Sequence, residues 1–265
     1  MNFLNIVSSP REYAEAAVIA EKAGQEMLAR LEWMTLEPKT ILDIGCGTGA
    51  MSLALRQRYP AAKVISIDLS MLMAEHTQQL AVPSQVICAG GEHLPLRTDS
   101  IDLVFANFFL PWQQDVKAVI NEWLRVLRPD GVLMLSALGV DTLHEWREVL
   151  RADDTPKLVD MHDVGDALIQ AGFSDPVLDV NHYKVTYADK MRLLQDIRAA
   201  EMWFPAADLD LNAIEPPALQ AGNRWQLTYE VIYAHAFAPM AGNEFSASSD
   251  GLVKIPLAHL RRRRV

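Results

Sequence analysis

The chain has 265 residues, half of them hydrophobic, with 13 Gly, 14 Pro, 2 Cys and a formal net charge of −10. That length accommodates one large α/β domain or two small ones, and the apolar share excludes a chain disordered throughout. Cys46 and Cys88 are too few for a disulfide framework or a structural zinc site, and no apolar run approaches the roughly 20 residues of a bilayer span. Met1 to Arg11 lacks the basic start and long apolar stretch of a signal peptide, so a cytoplasmic location is expected. The acidic balance argues against whole-surface nucleic-acid binding, and Arg261 to Arg264 is a local exception to it.

In chain order, Ser9 to Trp33 reads as a helix, with serine before Pro10 as its cap and apolar residues at helical spacing. After Pro38, Thr40–Ile44 reads as a buried strand that ends in glycines, followed by a helix over 50–58. Lys63–Asp68 is a second strand ending in an acid, Met71–Leu80 a helix, Gln85–Cys88 a third strand and Ile101–Ala106 a fourth. Val116–Leu127 is a helix closed by the turn Arg128–Pro129–Asp130–Gly131, and Val132–Ser136 is a fifth strand. Strands alternating with helices at this spacing predict a mostly parallel sheet with right-handed crossovers. Further on, Asp163–Ala171 and Ala188–Met202 read as helices, Val177–Val185 and Trp225–Phe237 as strands. Pro205–Arg224 and Met240–Gly251 read as irregular segments.

Gly45–Cys46–Gly47–Thr48–Gly49–Ala50 follows a strand and precedes a helix, where glycines permit unusual backbone angles and close approach to a ligand. The segment satisfies both G-x-G-x-G and the dinucleotide pattern G-x-G-x-x-[GA], and Asp68 lies where an acid binds ribose hydroxyls in either case. Asp43 separates the two readings. An acid two residues before the first glycine repels a pyrophosphate, but it favours S-adenosylmethionine, which has no phosphate and carries an ammonium and a sulfonium.

Leu42–Asp43–Ile44–Gly45–Cys46–Gly47–Thr48–Gly49 resembles motif I of class I methyltransferases, and the likeness continues through Asp68–Leu69–Ser70, Glu92–Leu96 and Asp99–Val104 to Arg125–Gly131. The resemblance implies a Rossmann-like α/β fold, a seven-stranded class I methyltransferase sheet with an N-terminal helical lid and inserted substrate-side elements. It implies one methyltransferase domain over 1–265: a lid over 1–36, a cofactor-binding core over 37–138 and acceptor-side helices and strands over 139–265. Asp43, Gly45, Cys46, Gly47, Asp68, Leu69, Gly91, Glu92 and Asn107 are then the expected cofactor-binding residues. In close relatives the segment before Glu-x-Leu-Pro reads Gly-Asp-Ala-Glu, and its Asp accepts a hydrogen bond from the adenine amine. Ala89–Gly90–Gly91–Glu92 has Gly90 in place of that acid.

The acceptor side is similar to the malonyl-[acyl-carrier protein] O-methyltransferases of biotin synthesis. The likeness rests on Asn107–Trp112, Gly139–Glu145, Asp160–Asp166 with Ala171–Phe173, and Tyr229–Ala236. This resemblance implies an acidic acyl carrier protein as partner, docking on basic residues (Arg147, Arg151, Arg192 and Arg261–Arg264). It also implies a malonyl carboxylate as acceptor, which is already ionised at neutral pH and needs no general base. No residue is therefore assigned as one, and no metal site is expected at Glu92 and His93. Tyr13 falls where the family's lid carries a tyrosine over the active site, whereas the aromatic usual seven residues earlier is Ile6. Trp112, Tyr187 and Arg198 are the other expected substrate-binding residues, with Arg198 as the cation that orients the carboxylate. The same segments also resemble assembly factors of respiratory complex I that hydroxylate an arginine. A methyltransferase for another small acceptor and a non-methylating factor of the same fold therefore stand as alternatives.

Overall fold

A computed structural model describes residues 9–80, 85–150, 156–202, 211–214 and 223–240. Its strands are β1 (Thr40–Ile44), β2 (Lys63–Asp68), β3 (Gln85–Cys88), β4 (Ile101–Asn107), β5 (Leu127–Leu138), β6 (Ser174–Tyr187) and β7 (Trp225–Phe237). They form the expected seven-stranded sheet, in the order β3-β2-β1-β4-β5-β7-β6. β1 to β5 pair in parallel, while β7 runs antiparallel between β5 and β6. The central strands read as nearly continuous apolar runs because helices cover both faces of a parallel sheet.

Alternation along the strands divides the core in two. Ile41, Phe105 and Met134 point to one face, where they meet Met27 and Leu31 of the N-terminal helices, Leu55 of α3 (Ala50–Arg58) and Leu193 of α7 (Lys190–Ala199). Leu42, Val104 and Leu133 point to the other, against Trp123 of α5 (Val116–Val126) and Leu168 of α6 (Met161–Ala171). α4 (Met71–Gln78) links β2 to β3. Among the described residues no helix is long and apolar enough to cross a membrane.

Three expectations are corrected. The helix expected over Ser9–Trp33 breaks at Ala17 into α1 (Pro10–Ala16) and α2 (Val18–Arg30), followed by a 3-10 turn over Leu31–Trp33. α2 buries Ala23, Gly24, Met27 and Leu28 against the sheet while α1 buries nothing, so one straight helix does not serve both positions. The turn Arg128–Gly131 is absorbed into β5 as an irregularity, because Ile101 pairs with Leu127 and Leu103 already with Val132. Asp130 (φ 64) bends it, and Ala238 holds it through hydrogen bonds with Asp130 and Gly131. The helix expected over Ala188–Met202 is shorter: the Asp189 carboxylate accepts the Met191 amide and caps the start of α7, and Glu201 (φ 59) turns left-handed just past its end.

Asp102 ties three segments at the sheet's lower edge. Its carboxylate accepts the Lys39 and Thr40 amides at 2.9 and 2.8 Å and pairs with Arg128 of β5 at 2.5 Å. Asp102→Ala is expected to cost about 2 kcal/mol in urea unfolding, because three charge-assisted bonds are lost together. Glu15→Ala breaks only the exposed pair with Arg11 and is expected to cost under about 0.5 kcal/mol.

Candidate active site

The strand order reverses between β1 and β4, and in such sheets ligands bind beyond the carboxyl ends of the strands flanking that point. The glycine loop leaves β1 there. Gly45 (φ 68) and Gly47 (φ 52) adopt left-handed angles that a side chain resists, while the Gly45 and Cys46 amides donate to Ile67 O at 2.8 and 3.0 Å. Next door, Asp68 Oδ2 accepts the Gly47 amide and Oδ1 the Ser70 amide, both at 2.8 Å. Burial raises the Asp68 carboxyl in spite of these bonds.

Asp43 is 1% exposed. Its carboxylate lies beneath the loop and accepts Ser52 Oγ of α3, which in turn meets Ser66 Oγ of β2 at 2.7 Å. Burial pushes it up to about 7, against the lowering effect of the Ser52 bond, and the charge of Asp68 adds to the rise. Cys46 is buried against Thr77, and its thiol is driven upward by burial and then by Asp43 and Asp68. It is a small apolar filler and stays protonated.

Asn107, at the end of β4, accepts Ser136 Oγ and donates to Ala20 O of α2, both at 2.7 Å. Its side chain fastens the N-terminal helices to the sheet. Phe108 follows in a left-handed conformation (φ 51), which is strained for a bulky residue and marks the site. Leu69 is 55% exposed and offers an apolar rim beside Asp68. Gly90 has ordinary backbone angles, and a Cβ there would meet only Leu69 Cδ1, at 3.9 Å. Gly91 is buried and Glu92 half-buried.

α1 lies over this cleft. Tyr13 Cε1 is the atom nearest to a Cβ built on Gly47, at 3.7 Å, and burial, then Glu201 and Asp68, raise its phenol. Glu201 stands next to Met202, which lines a neighbouring cavity of about 190 Å³ with Leu143, Leu150, Pro156 and Leu158. Among the described residues Thr142 and Arg147 also line it, so Arg147 borders a largely apolar space. Arg147 donates to Val140 O and lies 3.9 Å from Asp141. Leu143 is held in a left-handed conformation (φ 53) by its amide bond to Thr228 O at 2.7 Å.

The structure thus brings Tyr13, Asp43, Cys46, Gly47 and Asp68 together, with Asn107 tying in α2. Tyr187 ends β6 and donates its hydroxyl to Asp196 of α7, which Arg192 also pairs at 2.9 Å; burial and Asp196 push the phenol up to about 12. Trp112 is half-buried on the 3-10 turn Leu110–Trp112. Arg198 sits on the exposed side of α7, away from the buried Leu193, Leu194 and Ile197. His182 faces Glu230 across the β6–β7 pair, with Asp141 alongside. Ile6, Arg151 and Arg261–Arg264 lie outside the described residues. Sequence reasoning missed Arg147 as a cavity residue, and no local signal in the sequence sets it apart.

Left-handed glycines, an acid ending β2, an exposed leucine beside it and open backbone at Gly90 fit S-adenosylmethionine. The sheet and this site define a class I methyltransferase that depends on that cofactor. Residues 42–135 match the family described as "Methyltransferase domain". The chain is 39% identical over 254 residues to the malonyl-[acyl-carrier protein] O-methyltransferase of Methylovorus sp. (strain MP688), covering 86% of this chain and 85% of that one. It is 33% identical to the enzyme of the same name from Halorhodospira halophila, covering 97% and 93%. Among solved structures, the YcgJ protein from Bacillus subtilis superposes with a TM-score of 0.63 at 16% identity, covering 82% and 99%. A Haemonchus contortus phosphoethanolamine N-methyltransferase, solved with S-adenosylhomocysteine, gives a TM-score of 0.56 at 15% identity, covering 82% and 53%. The chain belongs to the malonyl-[acyl-carrier protein] O-methyltransferase family.

Two predictions follow from the cleft. Between the unfolded value of 3.8 and about 7, Asp43 holds a proton in the folded chain and loses it on unfolding. Stability therefore falls as pH rises through that window, by up to about 1.4 kcal/mol per unit. Asp43→Asn is expected to flatten this slope in melts taken from about pH 4 to 8. Gly90→Asp fits without strain, and by adding an acceptor for the adenine amine it is expected to tighten S-adenosylmethionine binding about fivefold in calorimetry.

Proposed function

We propose that this chain methylates the free carboxylate of a malonyl thioester carried on acyl carrier protein, a step toward a biotin precursor, in a cytoplasmic setting. The observation that supports the reading is the apolar cavity that Arg147 borders among the described residues, in a member of this family. When bound, S-adenosylmethionine supplies an electrophilic methyl on sulfur. The acceptor carboxylate is ionised at neutral pH, so the residues need only bring it into line and keep water out. Arg147 orients the carboxylate, in place of the outward-facing Arg198. Leu143, Leu150 and Met202 pack on the acyl arm, and Tyr13 covers the glycine loop from α1. A cation that merely steers, and is already shared with Val140 O and Asp141, leaves the carboxylate nucleophilic.

On this reading residues 1–265 are one methyltransferase domain, with 1–36 as its lid, 37–138 as its cofactor core and 139–265 as its acceptor side. Asp43, Gly45, Cys46, Gly47, Asp68, Leu69, Gly91, Glu92 and Asn107 shape the cofactor cleft, several of them by supporting its backbone. Tyr187 and Trp112 border the acceptor side. The acidic carrier protein docks on the cationic run Arg261–Arg264. Arg192 is already paired with Asp196.

Incubation with S-adenosylmethionine and malonyl carrier protein, followed by intact-mass spectrometry, is expected to show the gain of one methyl group. Tight cofactor binding without transfer would instead favour another small acceptor or a non-methylating role. Arg147→Gln is expected to lower kcat/KM for the carrier substrate about 100-fold with cofactor affinity unchanged, and Arg198→Gln to stay within about twofold. The reverse pattern would return the orienting role to Arg198.

A further inference from the structure

The ring of Phe109 touches two segments that arrive from different strands. A Cβ on Gly91, in the segment after β3, would lie 2.4 Å from Phe109 Cζ. A Cβ on Gly45, in the loop after β1, would lie 2.7 Å from Phe109 Cδ2. Different edges of one ring thus rest on the backbones of both segments. Trp123 of α5 backs the ring, with centroids 5.8 Å apart at 53°, and it is itself fully buried. The ring's aim is set one residue earlier, where the left-handed Phe108 donates its amide to Ser136. Wedged between two backbones and a buried indole, the ring has little room to retreat.

We propose that Phe109 is a positioning residue that fixes the separation of the two cofactor-holding segments, 45–49 and 89–92. By the same argument, position 91 is glycine because the ring fills the volume of its Cβ. The inference rests on the reading that both segments hold S-adenosylmethionine. A rigid aromatic ring suits the task, since a shorter side chain lets the segments close on each other and an added Cβ drives them apart. Phe109 touches backbone and not the reacting atoms, so its effect falls on cofactor affinity.

The test is the dissociation constant of S-adenosylhomocysteine, measured by calorimetry for the parent chain, Gly91→Ala, Phe109→Leu and the double variant. Gly91→Ala is expected to weaken binding about tenfold and Phe109→Leu about fivefold. The double variant exchanges volume between the two positions and is expected to return within about threefold of the parent. In turnover, KM for S-adenosylmethionine is expected to follow the same pattern while KM for the acceptor stays at the parent value. An additive loss of about fiftyfold in the double variant, or a Gly91→Ala chain that binds like the parent, overturns the proposal. Should Gly91→Ala fail to fold, a double variant that folds and binds reports the same coupling, and failure of both overturns it. A parent chain that binds no cofactor removes instead the reading on which the wedge rests.

Discussion

The cofactor end of the molecule depends on the hydrogen bond from the Gly47 amide to Asp68. A loop that turns left-handed twice within three residues leaves its amides pointing away from any regular ladder, and they need acceptors. Parallel pairing of β1 with β2 delivers one, because Ile44 lies beside Ile67 and the next residue of β2 is the acid. Asp68 also takes the Ser70 amide, so one carboxylate shapes the glycine loop and the start of α4 together. Beneath it, the Asp43–Ser52–Ser66 chain joins β1, α3 and β2, and the loop stands on a second polar layer. The charge of Asp68 adds to the cost of ionising the buried Asp43.

The cofactor half was nearly all legible in the sequence because its signals are local. Thr40–Ile44 and Lys63–Asp68 are strands with the expected bounds, since buried parallel strands need short apolar runs and little else, and the edge strand Gln85–Cys88 keeps its bounds as well. The glycine loop announces its own backbone. What misled was any position whose conformation is set from a distance. Arg128–Gly131 has the composition of a turn, yet Ala238 and the Asp102 carboxylate draw it into a bulged strand. Ser9–Trp33 has unbroken helical periodicity, yet the break at Ala17 answers to where the glycine loop lies.

The acceptor half shows the same limit more sharply. Arg147 and Arg198 are both arginines in helical or turn segments, and nothing local ranks one above the other. Tertiary packing separates them: α7 buries Leu193, Leu194 and Ile197, which turns Arg198 outward, while the bond from Leu143 to Thr228 bends the chain so that Arg147 reaches the cavity wall. Glu145 fixes that bend. Burial works against its ionisation, but bonds from Thr228 and Gln226 hold its carboxyl below the usual range. A carboxylate gripped in this way clamps the turn to β7 and carries the strained Leu143 with it.

These attachments also set which part of the molecule moves most cheaply. The glycine loop, the 139–150 turn and the start of β1 are each held by buried or charge-assisted bonds to the sheet. α1 buries no residue, keeps its cap within its own first turn through Ser9 and Glu12, and reaches the cleft through Tyr13. α2, by contrast, is fastened by Asn107 and by the paired Arg30 and Asp179. An element with few buried contacts opens at low free energy without disturbing its neighbours. The break at Ala17 divides the segment between α2, which is fastened to the sheet, and α1, which lies over Gly47 with none of its residues fully buried.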